Sequence, residues 1–263
     1  MLTGKQIAEA RKRKGWTQAK LAEKLGVSSE AVSKWEHDAY IPEKHNEQIL
    51  SEVLELHYLK EDGTPLNGRL FDENHMSAFL RGKLSAGDFP NSSQALSFAK
   101  KMHEGQLRKP KELKIPYIIH PLTMACHAMA MGLKEDVIIA ALLLHDVCED
   151  CGVVPSELPV CSEVQEIVRL VTKPKYEFSE KDYYEAIICN PKACLVKCID
   201  RCNNVSGMAI GFSPNKIKEY IEETEEWYPH LLKAIKDLPE YNDAAWLLSY
   251  QIRSIIQTAK RIN

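Results

Sequence analysis

Residues 137–150 read Val-Ile-Ile-Ala-Ala-Leu-Leu-Leu-His145-Asp146-Val-Cys-Glu149-Asp150. The first eight are apolar without alternation or a breaker, which predicts a helix buried on every side. That segment runs directly into HDVCED. If the helix continues, His145 and Glu149 stand at i,i+4, Asp146 and Asp150 likewise, and Asp146 and Glu149 at i,i+3, so the four share one face. A histidine and three carboxylates at the end of an apolar helix are costly to bury unless a cation neutralises them. This stretch therefore predicts an all-α core with a divalent metal at its edge.

The pattern outward is helical almost throughout from Gln94 onward. Ala95, Leu96, Phe98, Ala99 and Met102 form one apolar stripe, and helices are expected over 122–131, 164–171, 181–188, 193–205, 215–226 and 244–259. Two further ligand candidates fall in this region. His120 precedes Pro121, at a helix start that leaves its ring free. Asp200 interrupts the apolar run Leu195, Val196 and Ile199, and so points inward or into a cleft. His120, His145, Asp146 and Asp200 together suit Mn²⁺, Fe²⁺, Zn²⁺ or Mg²⁺ with positions left open.

The wider set of residues resembles the HD superfamily, and within it the hydrolase domain of the RelA/SpoT alarmone enzymes and their small relatives. The resemblance rests on Phe98-Ala99, His103, Gly105-Gln106, Arg108-Lys109, Tyr117-Ile118, His120-Pro121, residues 140–143, His145-Asp146, Glu149-Asp150, Val171-Thr172 and residues 197–204. It implies a multi-helix bundle that removes pyrophosphate from the 3′ position of (p)ppGpp with Mn²⁺. It implies that Glu149 and Asp150 orient the attacking water and handle protons, and that Arg108, Lys109, Asn204 and Lys175 contact the nucleotide. Three features depart from the family: the segment Pro110-Lys-Glu-Leu-Lys-Ile-Pro116, the sequence Asp200-Arg-Cys-Asn-Asn204, and Gly207 where the family has a substrate-binding Thr. They leave the metal ligands in place but keep other substrates open, including a nucleoside phosphate or the 2′-phosphate of NADPH. A third reading is a nucleotide sensor with little turnover; the acidic pair Glu149–Asp150 argues for an enzyme.

The N-terminal end has another character. Residues 1–37 carry eight Lys or Arg against four Glu, on a chain whose net charge is −3. Short helices are expected over 7–11, 18–25 and 29–37, with a fourth over 48–58. Thr17 and Ser28 serve as N-caps, and glycines end the turns at 15 and 26. Gly4, Arg11, Thr17-Gln18, Leu21-Ala22, residues 25–28, Val32-Ser33, Trp35-Glu36 and Pro42 resemble the Cro/repressor (XRE) helix-turn-helix. The resemblance implies that the helix from Ser28 enters the major groove of double-stranded DNA. Ser29, Glu30 and Lys34 would then face base edges, with Gln18 and Ser33 on phosphates. Such modules read DNA as dimers, so a homodimer is expected.

The expected organisation is all-α: a helix-turn-helix bundle over 1–60, a Gly- and Pro-punctuated linker over 61–92 holding one helix at 71–84, and an HD bundle over 93–263. No run approaches the roughly 20 apolar residues that span a bilayer, and the first residues lack the apolar core of a signal peptide, so a cytoplasmic protein is expected. Eight cysteines include the pair Cys148 and Cys151 and the stripe Cys194, Cys198 and Cys202. They read as small buried apolar residues, since a zinc knuckle needs two such pairs on turns. Tyr220, Trp227, Tyr228, Tyr241, Trp246 and Tyr250 read as core and interface packing. His127 and His230 read as non-ligands.

Overall fold

Seven consecutive residues, Ile138–Leu144, are buried, and the rest of the larger unit is built around them. A computed structural model describes residues 4–43, 46, 49–50, 53–54, 72–109, 115–174, 176 and 179–262. The chain divides into two compact units, Met1–Pro65 and Leu66–Asn263. All regular structure among the described residues is helical, apart from an isolated bridge between Leu107 and Pro116.

The smaller unit contains α1 (Gly4–Arg13), α2 (Gln18–Leu25) and α3 (Ser29–Glu36). Thr17 accepts from the Lys20 backbone N–H and Ser28 from that of Ala31, so both caps act as their sequence predicts. Gly26, at φ 67°, ends α2 in the left-handed region. Ile7, Ala10, Leu21, Ala22, Val32 and Trp35 make its core, joined by Leu50 and Leu54. The helix expected over 48–58 lies largely outside the described residues. Gly4 is a packing requirement: a Cβ there would stand 2.3 Å from the Trp35 carbonyl oxygen. Its N–H donates to Asp38 Oδ1 at 2.6 Å.

The larger unit contains α4 (Glu73–Ala86), α5 (Pro90–Met102), α6 (Ile119–Ala130), α7 (Asp136–Leu144), α8 (Val147–Cys151), α9 (Ser162–Val171), α10 (Glu180–Ile188), α11 (Pro191–Gly211), α12 (Pro214–Lys236) and α13 (Asn242–Ile262). Met76, Leu80 and Leu84 place α4 in this unit's core, which settles where that helix packs; Asp72 caps it, and Phe71 lies outside the described residues. α5 begins earlier than its apolar stripe suggests. The Asp136 carboxylate, at the start of α7, accepts from the backbone N–H groups of Asn91 and Ser92 and from the Ser92 hydroxyl. One side chain thus caps one helix from the first turn of another.

α7 ends at Leu144. His145 and Asp146 form a turn, and α8 starts afresh at Val147. HDVCED is therefore not one unbroken helix, although the Asp150 backbone N–H still donates to the Asp146 carbonyl oxygen at 2.9 Å across the turn. The break separates the pair turned inward, His145 and Asp146, from the exposed pair, Glu149 and Asp150. α11 and α12 both run longer than the periodicity predicts, and α12 continues through Pro229. Between them Arg201, almost fully buried, donates to Glu223 Oε2 at 2.6 Å and lies 3.9 Å over the Tyr220 ring. Glu223 also accepts from Lys173 and from the Tyr184 hydroxyl. With Arg201 first among the groups that favour its charge, Glu223 is held down to about 2 against the cost of burial. No helix among the described residues is long and apolar enough to cross a membrane.

Candidate functional site

Three elements deliver the four candidate ligands. His120 stands in the first turn of α6, His145 and Asp146 in the turn after α7, and Asp200 midway along α11. His120, His145 and Asp200 each offer one atom within 4.8 Å of the others, an arrangement able to hold a metal ion. Asp146 Oδ2 joins them at 3.0 Å from His145 Nε2 and 3.6 Å from His120 Nε2.

The outer faces of the two imidazoles decide what their inner faces can do. His120 Nδ1 lies 2.6 Å from Asn203 Oδ1, and His145 Nδ1 lies 2.9 Å from the Leu142 carbonyl oxygen. Both partners are acceptors, so both Nδ1 atoms carry hydrogens. The Nε2 atoms then face each other 3.2 Å apart. Two lone pairs at that distance repel, and positive charge at this point, flanked by Asp146 Oδ2 and Asp200 Oδ1, relieves the repulsion. A proton can serve: burial opposes charge on His145, but Asp146 and then Asp200 outweigh it and lift the ring to about 9. Burial pushes His120 the other way, toward neutrality. The carboxyls of Asp146 and Asp200 are both held well below the ordinary range despite burial, Asp146 chiefly by His145 and Asp200 chiefly by Lys197. Two neutral-capable imidazoles and two carboxylates around a buried point fit a divalent ion.

Around this cluster the structure places the other candidates unevenly. Arg108 Nη2 donates to Asn204 Oδ1 at 3.1 Å, and Asn204 Nδ2 donates to Asp200 Oδ1 at 2.6 Å, so both join the candidate ligands. Lys109 is exposed. Lys175 and most of the atypical segment, residues 110–114, lie outside the described residues. Glu149 and Asp150 sit on α8 beside Asp146. Partial burial, and then the Asp146 charge, raise the Glu149 carboxyl above its ordinary value.

Three residues at the site had no role assigned from sequence. The Tyr117 hydroxyl donates to Asp146 Oδ2 at 2.5 Å, Asn203 orients His120, and Lys197 Nζ donates to Asp200 Oδ2 at 3.3 Å. Helical spacing carried part of the signal. Lys197 and Asp200 are i,i+3, and Asp200 and Asn204 are i,i+4, which puts donor, acid and amide on one face of α11. The long-range partners, Tyr117 with Asp146 and Asn203 with His120, have no such local signature.

In the smaller unit Ser29, Glu30 and Lys34 are exposed on α3 and Ser33 is half-buried. Glu30 and Lys34 pair with each other at 2.8 Å. Gln18, expected on a phosphate, donates from its Nε2 to Glu36 Oε2 at 2.8 Å. That carboxylate also takes both Nε and Nη2 of Arg11, at 2.6 and 2.9 Å. A buried acid draws in the available donors before solvent does.

All eight cysteines are free thiols. Burial pushes Cys148 and Cys202 up to about 11, and Cys126 and Cys194 up to about 12, as inert core thiols require. Among the aromatic residues, Tyr228 and Tyr241 are buried and Trp227 stacks on Tyr184. Trp246 and Tyr250 are exposed and take no part in the core.

Comparison with known proteins assigns two relationships. Residues 7–58 match the Helix-turn-helix family. Over 154 residues the chain is 30% identical to the guanosine-3′,5′-bis(diphosphate) 3′-pyrophosphohydrolase MESH1 of Xenopus tropicalis, covering 54% of this chain and 83% of that protein. It is 35% identical over 147 residues to a guanosine-3′,5′-bis(diphosphate) 3′-pyrophosphohydrolase of Aquifex aeolicus, covering 52% of this chain. It is 32% identical over 150 residues to the bifunctional (p)ppGpp synthase/hydrolase SpoT of Escherichia coli, again over 52% of this chain. The chain spans only about a fifth of the length of the last two.

Proposed function

The chain belongs to the family of guanosine-3′,5′-bis(diphosphate) 3′-pyrophosphohydrolases that includes MESH1, and from that membership we propose that its larger unit hydrolyses (p)ppGpp at the 3′ position, releasing pyrophosphate. The observation that carries the proposal is the convergence of His120 Nε2, His145 Nε2 and Asp200 on one buried point, with Asp146 beside them. We assign His120, His145, Asp146 and Asp200 as ligands of a divalent ion, with Mn²⁺ first among Fe²⁺, Zn²⁺ and Mg²⁺. Bound there, the ion supplies Lewis acidity toward a phosphate oxygen and an activated water.

The protein's own groups do the rest. Arg108, joined through Asn204 to Asp200, presents its guanidinium to phosphate oxygens at the edge of the ligand shell. Lys109 adds a second cation on the exposed side, and Lys175 is assigned to the same role. Glu149, its carboxyl raised by partial burial and then by the Asp146 charge, is the assigned proton acceptor, and Asp150 orients the water with it. Tyr117 and Asn203 hold Asp146 and His120 in place.

The smaller unit is assigned to double-stranded DNA. Ser29, Glu30 and Lys34 would meet base edges, Ser33 a phosphate, and Gln18 a phosphate once released from Glu36. The division of labour follows the two units, Met1–Pro65 and Leu66–Asn263, with α4 in the core of the larger one. A homodimeric protein of the cytoplasm completes the reading.

The test is release of pyrophosphate or phosphate from ppGpp, pppGpp and NADPH, with and without Mn²⁺. Metal-dependent pyrophosphate from ppGpp, lost in Asp146→Ala, is the expected result. Phosphate from NADPH alone would assign the site to another nucleotide. A second reading has one observation behind it: Gly207, at the family's Thr position, is exposed with nothing within 4 Å of where a Cβ would stand. That favours a substrate with a different group at this edge.

A further inference from the structure

α13 carries an exposed seam with the spacing of a helix-pairing surface. Asp243, Trp246, Tyr250, Arg253, Gln257 and Lys260 follow one another at intervals of three and four residues, and all six are exposed. That is the rhythm of a and d positions in paired helices, where apolar or aromatic residues face a second helix. The opposite face of α13, with Ala244, Ala245, Leu248, Ile252 and Ile256, is spent on the core. The rings of Trp246 and Tyr250 stack 5.8 Å apart and 5° from parallel, at 67% and 61% exposure. Trp, Tyr and Arg are the residue types that concentrate at the centres of protein interfaces.

The order of residues along the seam selects the partner. Turned end for end about a two-fold axis between Tyr250 and Arg253, the seam meets itself with complementary chemistry. Asp243 faces the partner's Lys260, Trp246 the partner's Gln257, and Tyr250 the partner's Arg253. The pairs are an ion pair, an aromatic–amide contact and a cation–π contact, and each occurs twice. A polyanion or an anionic membrane would call for one sign of charge, whereas this seam carries both. Lys260 already reaches Glu225 of its own α12 at 2.5 Å, so the partner's Asp243 would extend an existing ion pair.

We propose that α13 pairs antiparallel with α13 of a second copy, making this seam the homodimer interface. The proposal rests on the preceding reading only in its consequence, that each dimer carries two helix-turn-helix units. It is tested by mass in solution, without an assay of either activity.

The experiment is light scattering coupled to size exclusion on the full chain, with circular dichroism on each variant to confirm folding. The wild type should have twice the chain mass, and Tyr250→Glu should have the mass of one chain. Asp243→Lys and Lys260→Asp, each alone, should also be monomeric, because like charges then face each other. Mixed in equal amounts, those two variants should recover the dimer, since each then offers the charge the other needs. A monomeric wild type would overturn the proposal. So would a Tyr250→Glu dimer, which would place the contact elsewhere, on the smaller unit for example. Failure of the mixed variants to associate would overturn the antiparallel register.

Discussion

The Nε2 atoms of His120 and His145 face each other at 3.2 Å, each ring turned there by a hydrogen bond from its Nδ1 to a carbonyl-type oxygen. In the metal-free protein the Asp146 and Asp200 carboxylates favour a proton on the His145 ring, against the cost of burial. Uptake of a divalent ion should therefore expel a proton. Titration calorimetry of Mn²⁺ into chelator-treated protein, repeated in buffers of different ionisation enthalpy, reads this directly. Heats independent of the buffer would show that the rings were already deprotonated and that the cluster is arranged differently.

Asn203 is the outer partner of His120, at 2.6 Å. Outer partners of metal-bound imidazoles are worth roughly 10–100-fold in metal affinity or activity. Asn203→Ala should weaken Mn²⁺ binding by about that factor, beyond the roughly 1–3 kcal/mol that an unpaired buried donor costs the fold. Equal Mn²⁺ affinity in the variant would remove Asn203 from the site.

Glu223 ties α12 to Arg201 and Lys173 and is held at about 2, below the roughly 4.3 expected of an unfolded glutamate. A depressed acid stabilises the fold above the unfolded value, and that contribution is lost as pH falls through the folded value. The shift corresponds to about 3 kcal/mol. Glu223→Gln should cost that much at pH 7 and nearly nothing near pH 2. Urea unfolding across this window tests it, and a pH-independent difference would assign the loss to packing alone.

In the smaller unit Glu36 gathers Arg11 and Gln18 in a nearly buried network. Removing one partner of such a pair leaves a buried charge uncompensated, at about 3 kcal/mol or more. Glu36→Gln should lower the melting temperature of this unit without altering the Mn²⁺-dependent hydrolysis assigned to the other. A melting curve identical to wild type would mean that water already screens Arg11.

The all-helical architecture and the convergence of the ligand segments were legible because both leave local marks. The unbroken run before His145 announces a buried helix, and Asp200 stands out in an apolar sequence. What stayed hidden depends on contacts between distant segments. The turn at His145–Asp146 is one example: helical spacing places Glu149 and Asp150 with the ligands, but nothing in HDVCED marks the break. Tyr117 on Asp146 and Asp136 on the first turn of α5 are others, joining residues 29 and 44 or more positions apart. The Gln18–Glu36 contact likewise becomes visible only once α2 and α3 are packed.

α7 has no solvent face over Ile138–Leu144, and the candidate ligand pair His145–Asp146 follows immediately at its end. A helix enclosed on all sides cannot slide or rotate without opening voids in the surrounding core. The pair therefore has no hinge of its own. Slow amide exchange should extend along α7 to the edge of the ligand cluster, and bound metal should be released on heating in the same cooperative step that melts the larger unit. Retention of the ion would then report the integrity of the whole bundle.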